Sequence, residues 1–419
     1  MMQSKMLLLL PLALLAALPP SIGMAQQEAA GTSVNYALIN LGTPLGGPFA
    51  IAQSINLVFI GGYGDLPDFT QHALLFLPTK TKDLGTFGGP NSAILGELSG
   101  FAETSTTDPL GQDFCETGTF LTCQPFTVVG LHLVRLPLLG GNSGAAFGNN
   151  NRGQVAGVSQ LNVDDPSCLI GGQPQPPFYS IQEAVPVVWT NGVAKQYPLF
   201  PGDSNGSVNA INDVGQATGS TGSCVANPGA HVVLWQNGKV INLGGLGGVS
   251  GNSSGINDLG EVVGESDLTG DQTNHAFLWK NGVMHDLGTL PGDYSSYANA
   301  INNLGQVVGQ SCDVNFNCRG FLWQNGKMVD LSTLLPANLP LSLYDPVTID
   351  DFGVIGGFAF NNSAQTNPAF VAIPKYFDTG KEELVPQVNI VPTVSTPESM
   401  RRLIQQRRGH LAARFAQAR

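Results

Sequence analysis

Between its two ends the chain alternates short apolar runs with Gly, Asn and Pro, and no long amphipathic helical stretch interrupts them. Period-two runs bounded by turn residues predict strands. In the clearest stretch, Ser296–Ile301 predicts a first strand, Asn302-Asn303-Leu304-Gly305 a tight turn and Gln306–Gln310 a second strand. Just upstream, Ala276–Trp279 predicts a third strand, Asn281-Gly282 a two-residue hairpin turn and Val283–Leu287 a fourth. Asn-Gly suits such hairpins because both residues tolerate positive φ.

This pattern recurs along the chain. Trp189, Trp235, Trp279 and Trp323 each sit in a frame such as HVVLWQNGKV or HAFLWKNGVM. A Gly-rich crossing such as LGTLPGD (287–293) follows, and then a copy of NAINNLGQVVG (299–309). Counting degenerate members, each landmark occurs seven times. The weak members are QSINLVFIGG (53–62) and SAILGELSG (92–100) for the turn, and HALLF (72–76) and VGLHLV (129–134) for the Trp frame. Four short strands per unit of about 44 residues predict an all-β, seven-bladed β-propeller of four-stranded blades. A β-solenoid is the alternative, but its coils repeat every ~20–30 residues. YALINLG (36–42) has the character of a fourth strand with nothing before it, and AFVAI (369–373) is a third strand with no fourth. The N-terminal strand is therefore expected to complete the last blade, leaving no open edge.

The runs His275-Ala276-Phe277-Leu278-Trp279, DLGTL (286–290) and INNLGQVVG (301–309) closely resemble the HAF-repeat family of bacterial extracellular proteins. The similarity spans about residues 36–373 and is strongest in 185–335. It implies an exported repeat protein and brings no established activity or catalytic residues with it.

Composition refines the domain organisation. Lys5, the apolar run Met6–Leu18 and Gly23-Met24-Ala25 predict a secretory signal over residues 1–25, followed by a leader over 26–35. The propeller is expected over 36–375, a linker over 376–394 and a basic tail with a short C-terminal helix over 395–419. Ser395 or Thr396 is placed to cap that helix, with Met400, Leu403, Ile404, Leu411, Phe415 and Ala418 on one face that Arg407 and Arg414 interrupt. The chain carries 18 Lys+Arg against 30 Asp+Glu, and six of the Arg lie in the tail. An acidic body excludes nucleic acid as its ligand, because phosphate binding needs clustered cations. The tail can dock on that body, contact an anionic surface, or hang as a loosely helical appendage. No segment outside the signal is apolar enough to span a membrane, so a secreted protein, extracellular or periplasmic, is expected.

Six Cys in an exported chain predict disulfides. All six fall in predicted loops between second and third strands, giving the pairs Cys115–Cys123, Cys312–Cys318 and Cys168–Cys224. Those loops and the inter-blade crossings share one face of the ring, with long insertions expected at 101–126 and 160–184. This loop-rich face is the expected functional surface. On it, Asp203 and Asp293 in matching Pro-Gly-Asp crossings, with Asp267 and Asp271 nearby, are the candidate binding residues. The four Trp and the repeated His72, His231 and His275 are expected to be structural. Catalytic-serine, zinc-protease, P-loop and dinucleotide-binding motifs are missing, so no catalytic residue, metal or cofactor is assigned. The resulting expectation is a non-catalytic binding or scaffold propeller that recognises a polysaccharide or cell-surface protein. The alternative is a glycan hydrolase or lyase with carboxylates at the channel mouth.

Overall fold

The computed structural model describes residues 35–375, apart from 56–58, 78–79, 166–168, 171–172, 175–180, 224–229, 338 and 362. The signal, the linker, the basic tail with its helix, and the Cys168–Cys224 pair lie outside the described residues. The chain forms a seven-bladed β-propeller of four-stranded antiparallel sheets. Blade 1 comprises Ala50–Ile55, Ile60–Asp65, Gln71–Leu77 and Lys80–Asp83, and blade 6 comprises Ser295–Ile301, Val307–Cys312, Cys318–Gln324 and Lys327–Asp330. In blade 7, Leu341–Ile349, Ile355–Asn361 and Ala369–Pro374 are completed by the N-terminal strand Tyr36–Gly42, in register from Tyr36 opposite Pro374. The ring is closed as its first and last strands predict.

Blade 6 and the predicted strands agree to within one or two residues. Asn281 and Gly282 have φ of 55° and 83°, as do their counterparts at 191–192, 237–238 and 325–326 within a few degrees, so the hairpin turns form as Asn-Gly dictates. A second requirement lies in the second strand. Gly62, Gly100, Gly157, Gly219, Gly264, Gly309 and Gly357 occupy one position in all seven blades. A Cβ at any of them would overlap a backbone carbonyl of the innermost strand. Trp189 and Trp235 are fully buried, and their indole N–H groups donate to Pro137 and Pro198 carbonyls at 2.7 Å, in the crossing that precedes each blade. Trp279 and Trp323 are half-buried and pack against cores shared with the preceding blade.

Blade 2 departs from the sequence reading. Its third strand is Leu121–Val129, so VGLHLV holds only the end of that strand, a turn at Gly130 and the fourth strand His132–Arg135. Val128 pairs with Leu98 in the slot that Trp fills elsewhere. The insertion is shorter than expected, because Ser99–Thr107 and Leu121–Val129 are strands and only 108–120 is loop. Likewise Gln154–Asp164 is strand, which trims the insertion of blade 3 to 165–181. Phe114 anchors the blade 2 loop, fully buried against Phe101, Phe147 and Val158. Glu103, also fully buried, accepts from Asn91 at 2.8 Å and from the hydroxyls of Thr117 and Thr119. Disulfides Cys115–Cys123 and Cys312–Cys318 form as expected. Cys123, Cys312 and Cys318 stand within strands and not in the loops predicted for them.

Candidate functional site

An antiparallel four-stranded blade puts its first and third turns on one face of the ring, and its second loop and the crossing on the other. The loop face carries the sequence-predicted candidates. Asp203 is almost fully buried, accepting from Thr221 Oγ1 at 2.5 Å and lying 3.0 Å from His231 Nδ1. Asp293 is equally buried; one oxygen pairs with Arg319 at 2.9 Å and the other has no hydrogen-bond partner among the described residues. Both close a Pro-Gly-Asp turn, in which Gly202 and Gly292 supply φ of 99° and 89°. Asp271 holds its own loop, accepting from the Val249 amide at 2.8 Å, and Asp267 pairs with Asn274 across the sheet. The four belong to the entries of blades 4 and 6 and the loop of blade 5.

The repeated His residues show why this face is built as it is. His72 lies 2.9 Å from Asp83 and His275 2.9 Å from Asp286, each joining the start of a third strand to the end of the fourth. Arg319 and Asp330 make the same link at 3.2 Å in blade 6. In blade 4 that acidic position is Asn242, and His231 turns to Asp203 instead. These acids also cap the turn that follows, since Asp83 and Asp286 each accept a Gly amide at 2.7 Å.

The opposite face, formed by the turns, is constructed differently. Asn302 is buried, and its Oδ1 accepts from the amides of Leu304 and Gln306 at 3.1 and 2.9 Å. Its Nδ2 donates to Gln306 Oε1 and to the carbonyl of Asp350 in the next blade, both at 2.8 Å. Asn150, Asn212 and Asn257 repeat this arrangement, each donating to the turn of the following blade at 2.8–2.9 Å or 3.1 Å. The Asn-x-x-Gly-Gln motif is therefore a clamp between blades as well as a turn.

The residue after each Asn forms a second ring around the channel mouth. The Asn151 amide donates to Asp213, the Asp213 amide to Asp258, the Asp258 amide to Asn303 and the Asn303 amide to Asp351, each at 2.8 Å. Asn303 Nδ2 also bridges Asp258 and Asp351 at 3.1 and 2.9 Å, easing the repulsion between two like charges.

Blade 2 lacks the Asn frame and brings Glu97 to this mouth. Its turn is tied to both neighbours: Ser54 Oγ donates to the Glu97 carbonyl at 2.5 Å, and the Leu98 amide donates to Asn149 at 2.9 Å. Glu97 is exposed on its outer side, and the neighbouring turn reaches its carboxyl, Asn149 Nδ2 donating to Oε2 at 3.4 Å. Desolvation, with repulsion from Asp213 second, pushes its pKa up to about 7. Asp350, behind the ring, is also raised by burial. Glu97 was not among the sequence candidates. Its only signal was a Glu standing where the degenerate turn SAILGELSG breaks from the repeat.

Among the described residues no group of three or more His, Cys, Asp or Glu is arranged to hold a metal ion. No helix there is long and apolar enough to cross a membrane.

No protein-family model matches the chain, and no curated protein does. Solved structures do. A puromycin-hydrolysing peptidase from Mycobacterium tuberculosis is 10% identical, with 87% of this chain and 58% of that one covered at a TM-score of 0.50. The β-propeller domain of the trilobed protease from Pyrococcus furiosus, described as having an open velcro topology, is 7% identical, with 80% and 95% covered at 0.42. An acylaminoacyl peptidase in complex with a chloromethyl ketone is 10% identical, with 74% and 50% covered at 0.42. This chain thus spans about half the length of that peptidase. At such identities the likeness shows the fold alone. The solved propellers matched include those of peptidases, against the expectation of a non-catalytic binding or scaffold propeller. The missing motifs behind that expectation report only on other folds' active sites.

Proposed function

We propose that this chain is an exported HAF-repeat propeller of hydrolase type that cleaves a glycan at the mouth of its channel on the turn face. One observation carries the reading: Glu97, its pKa pushed up first by desolvation, lies within electrostatic reach of a second carboxylate, Asp213. Glycoside cleavage needs one carboxyl that is protonated at working pH to donate to the leaving oxygen, and one that is ionised to act on the opposite side. In this scheme Glu97 donates its proton to the glycosidic oxygen as the bond to the anomeric carbon breaks. Asp213 supports the positive charge that develops and deprotonates the attacking water. The Asx ring from Asn151 to Asp351 supplies fixed hydrogen-bonding groups around the mouth, where sugar hydroxyls can be held.

Export is supported by the signal-like N-terminus and by two disulfides, which persist in oxidising compartments. The test is release of reducing ends from a polysaccharide panel by the wild type and by Glu97→Gln. The glutamine keeps the shape but cannot deliver a proton, so turnover should fall by about 10²–10⁴-fold. Retention of turnover by the variant would remove Glu97 from the mechanism.

A further inference from the structure

We propose that the basic C-terminal segment, residues 395–419, docks on the turn face of its own propeller, across blades 4 to 6. The proposal does not depend on the chemistry assigned to Glu97. Four observations converge on that face.

The first is where the chain leaves the fold. The last described strand ends at Pro374 beside Tyr36, and the Lys375 amide donates to the Asn35 carbonyl at 2.8 Å. A third strand runs from the loop face to the turn face, so the segment departs from the turn face itself. The 19 residues of 376–394 reach at most about 60 Å when extended, enough to cover any point on it.

Charge is the second. Asp213, Asp258 and Asp351 form the ring at the mouth, with Glu97 beside them. The segment carries Arg401, Arg402, Arg407, Arg408, Arg414 and Arg419 against Glu398 alone.

Apolar surface is the third. The residue after each ring member is Val214, Leu259 and Leu304 in blades 4, 5 and 6, exposed by 51%, 70% and 53%. Exposed aliphatic groups at the tips of three successive turns make an arc beside the acidic ring. The segment has a partly matching pattern, with Leu403, Ile404, Leu411 and Phe415 spaced to share one face of a helix that Arg407 and Arg414 interrupt.

The fourth is a receiving cleft of about 390 Å³ between blades 4 and 5 on this face, lined by Gln216, Leu234, Leu259, Glu261, Trp279 and Lys280. Its apolar wall of Leu234, Leu259 and Trp279 suits a side chain such as Phe415. A helix that places apolar anchors in a groove while its cations meet a rim of carboxylates is a common recognition mode.

The test uses the full chain with the photoreactive amino acid p-benzoylphenylalanine in place of Phe415. After irradiation at low salt, cross-links should map to peptides bearing Val214, Leu259 or Trp279, and their yield per molecule should not change on dilution. Raising salt to about 1 M, where screening acts within about 3 Å, should abolish them. Replacing Arg401, Arg402, Arg407 and Arg408 by Gln should do the same while leaving the ring untouched. Cross-links to loop-face peptides, cross-links only between molecules, or the absence of any would each overturn the proposal.

Discussion

Glu97 shows how a single position acquires chemistry from its place in the ring. Its neighbours in sequence are Gly96 and Leu98, and nothing in that triplet perturbs a carboxyl. The perturbation comes from turns of other blades, above all by excluding water and then through Asp213. A raised carboxyl pKa has a definite stability signature. Folding favours the protonated form, so the stabilisation from this group is complete below its unfolded value of about 4.5. It is lost as pH rises through about 7. Thermal unfolding followed from pH 4 to 8 should therefore decline more steeply in the wild type than in Glu97→Gln across that window, and parallel curves would refute the assignment. The residues that the sequence did single out, Asp203 and Asp293, differ in kind: they are buried partners of His231 and Arg319. A Pro-Gly-Asp turn is readable from sequence, but whether its carboxylate meets solvent or a cation depends on strands it does not touch locally.

At the level of the element, the strand order was legible wherever the repeat was strong, because turns declare themselves through residues with few substitutes. Asn-Gly fixes the outer hairpin, and Asn-x-x-Gly fixes the inner turn. Replacing Asn302 by Ala leaves the Leu304 and Gln306 amides unpaired and cuts the tie to blade 7, costing about 1–3 kcal/mol. Asn302→Asp keeps the acceptor and should cost less, as blade 7 itself uses Asp350 there. Urea unfolding of the two variants measures the difference. Gly309 belongs to the same scale. Gly309→Ala would press a methyl against the Tyr297 carbonyl and the Phe321 ring and should cost about 3 kcal/mol or more, whereas Gly292→Ala meets open space and only the strain of positive φ. Equal losses from the two would contradict the steric account. Blade 2 was misjudged by several residues because Val128 fills the Trp slot. Without the indole there is no landmark to count from.

Across the whole molecule, the closed ring determines which residues can act together. Strand Tyr36–Gly42 joins the first and last parts of the propeller, and the Asn clamps pass from blade 3 to blade 7, where Asp350 has no amide to hand on. The sequence predicted the number of blades, the closure and two of the disulfides. It drew attention to the loop face, because long loops and spare acids stand out there, while a mouth assembled from separate turns of several blades leaves no local motif. The central claim is that this mouth is a glycan-cleaving site with Glu97 as its acid. The most direct measurement is the pH–rate profile on a hydrolysed polysaccharide for the wild type, Asp213→Asn and Glu97→Gln. Wild-type activity should fall as pH rises through about 7, Asp213→Asn should lose turnover with its base, and Glu97→Gln should lose turnover while remaining folded. Undiminished hydrolysis by Glu97→Gln, or no hydrolysis of any glycan by the wild type, would contradict the account.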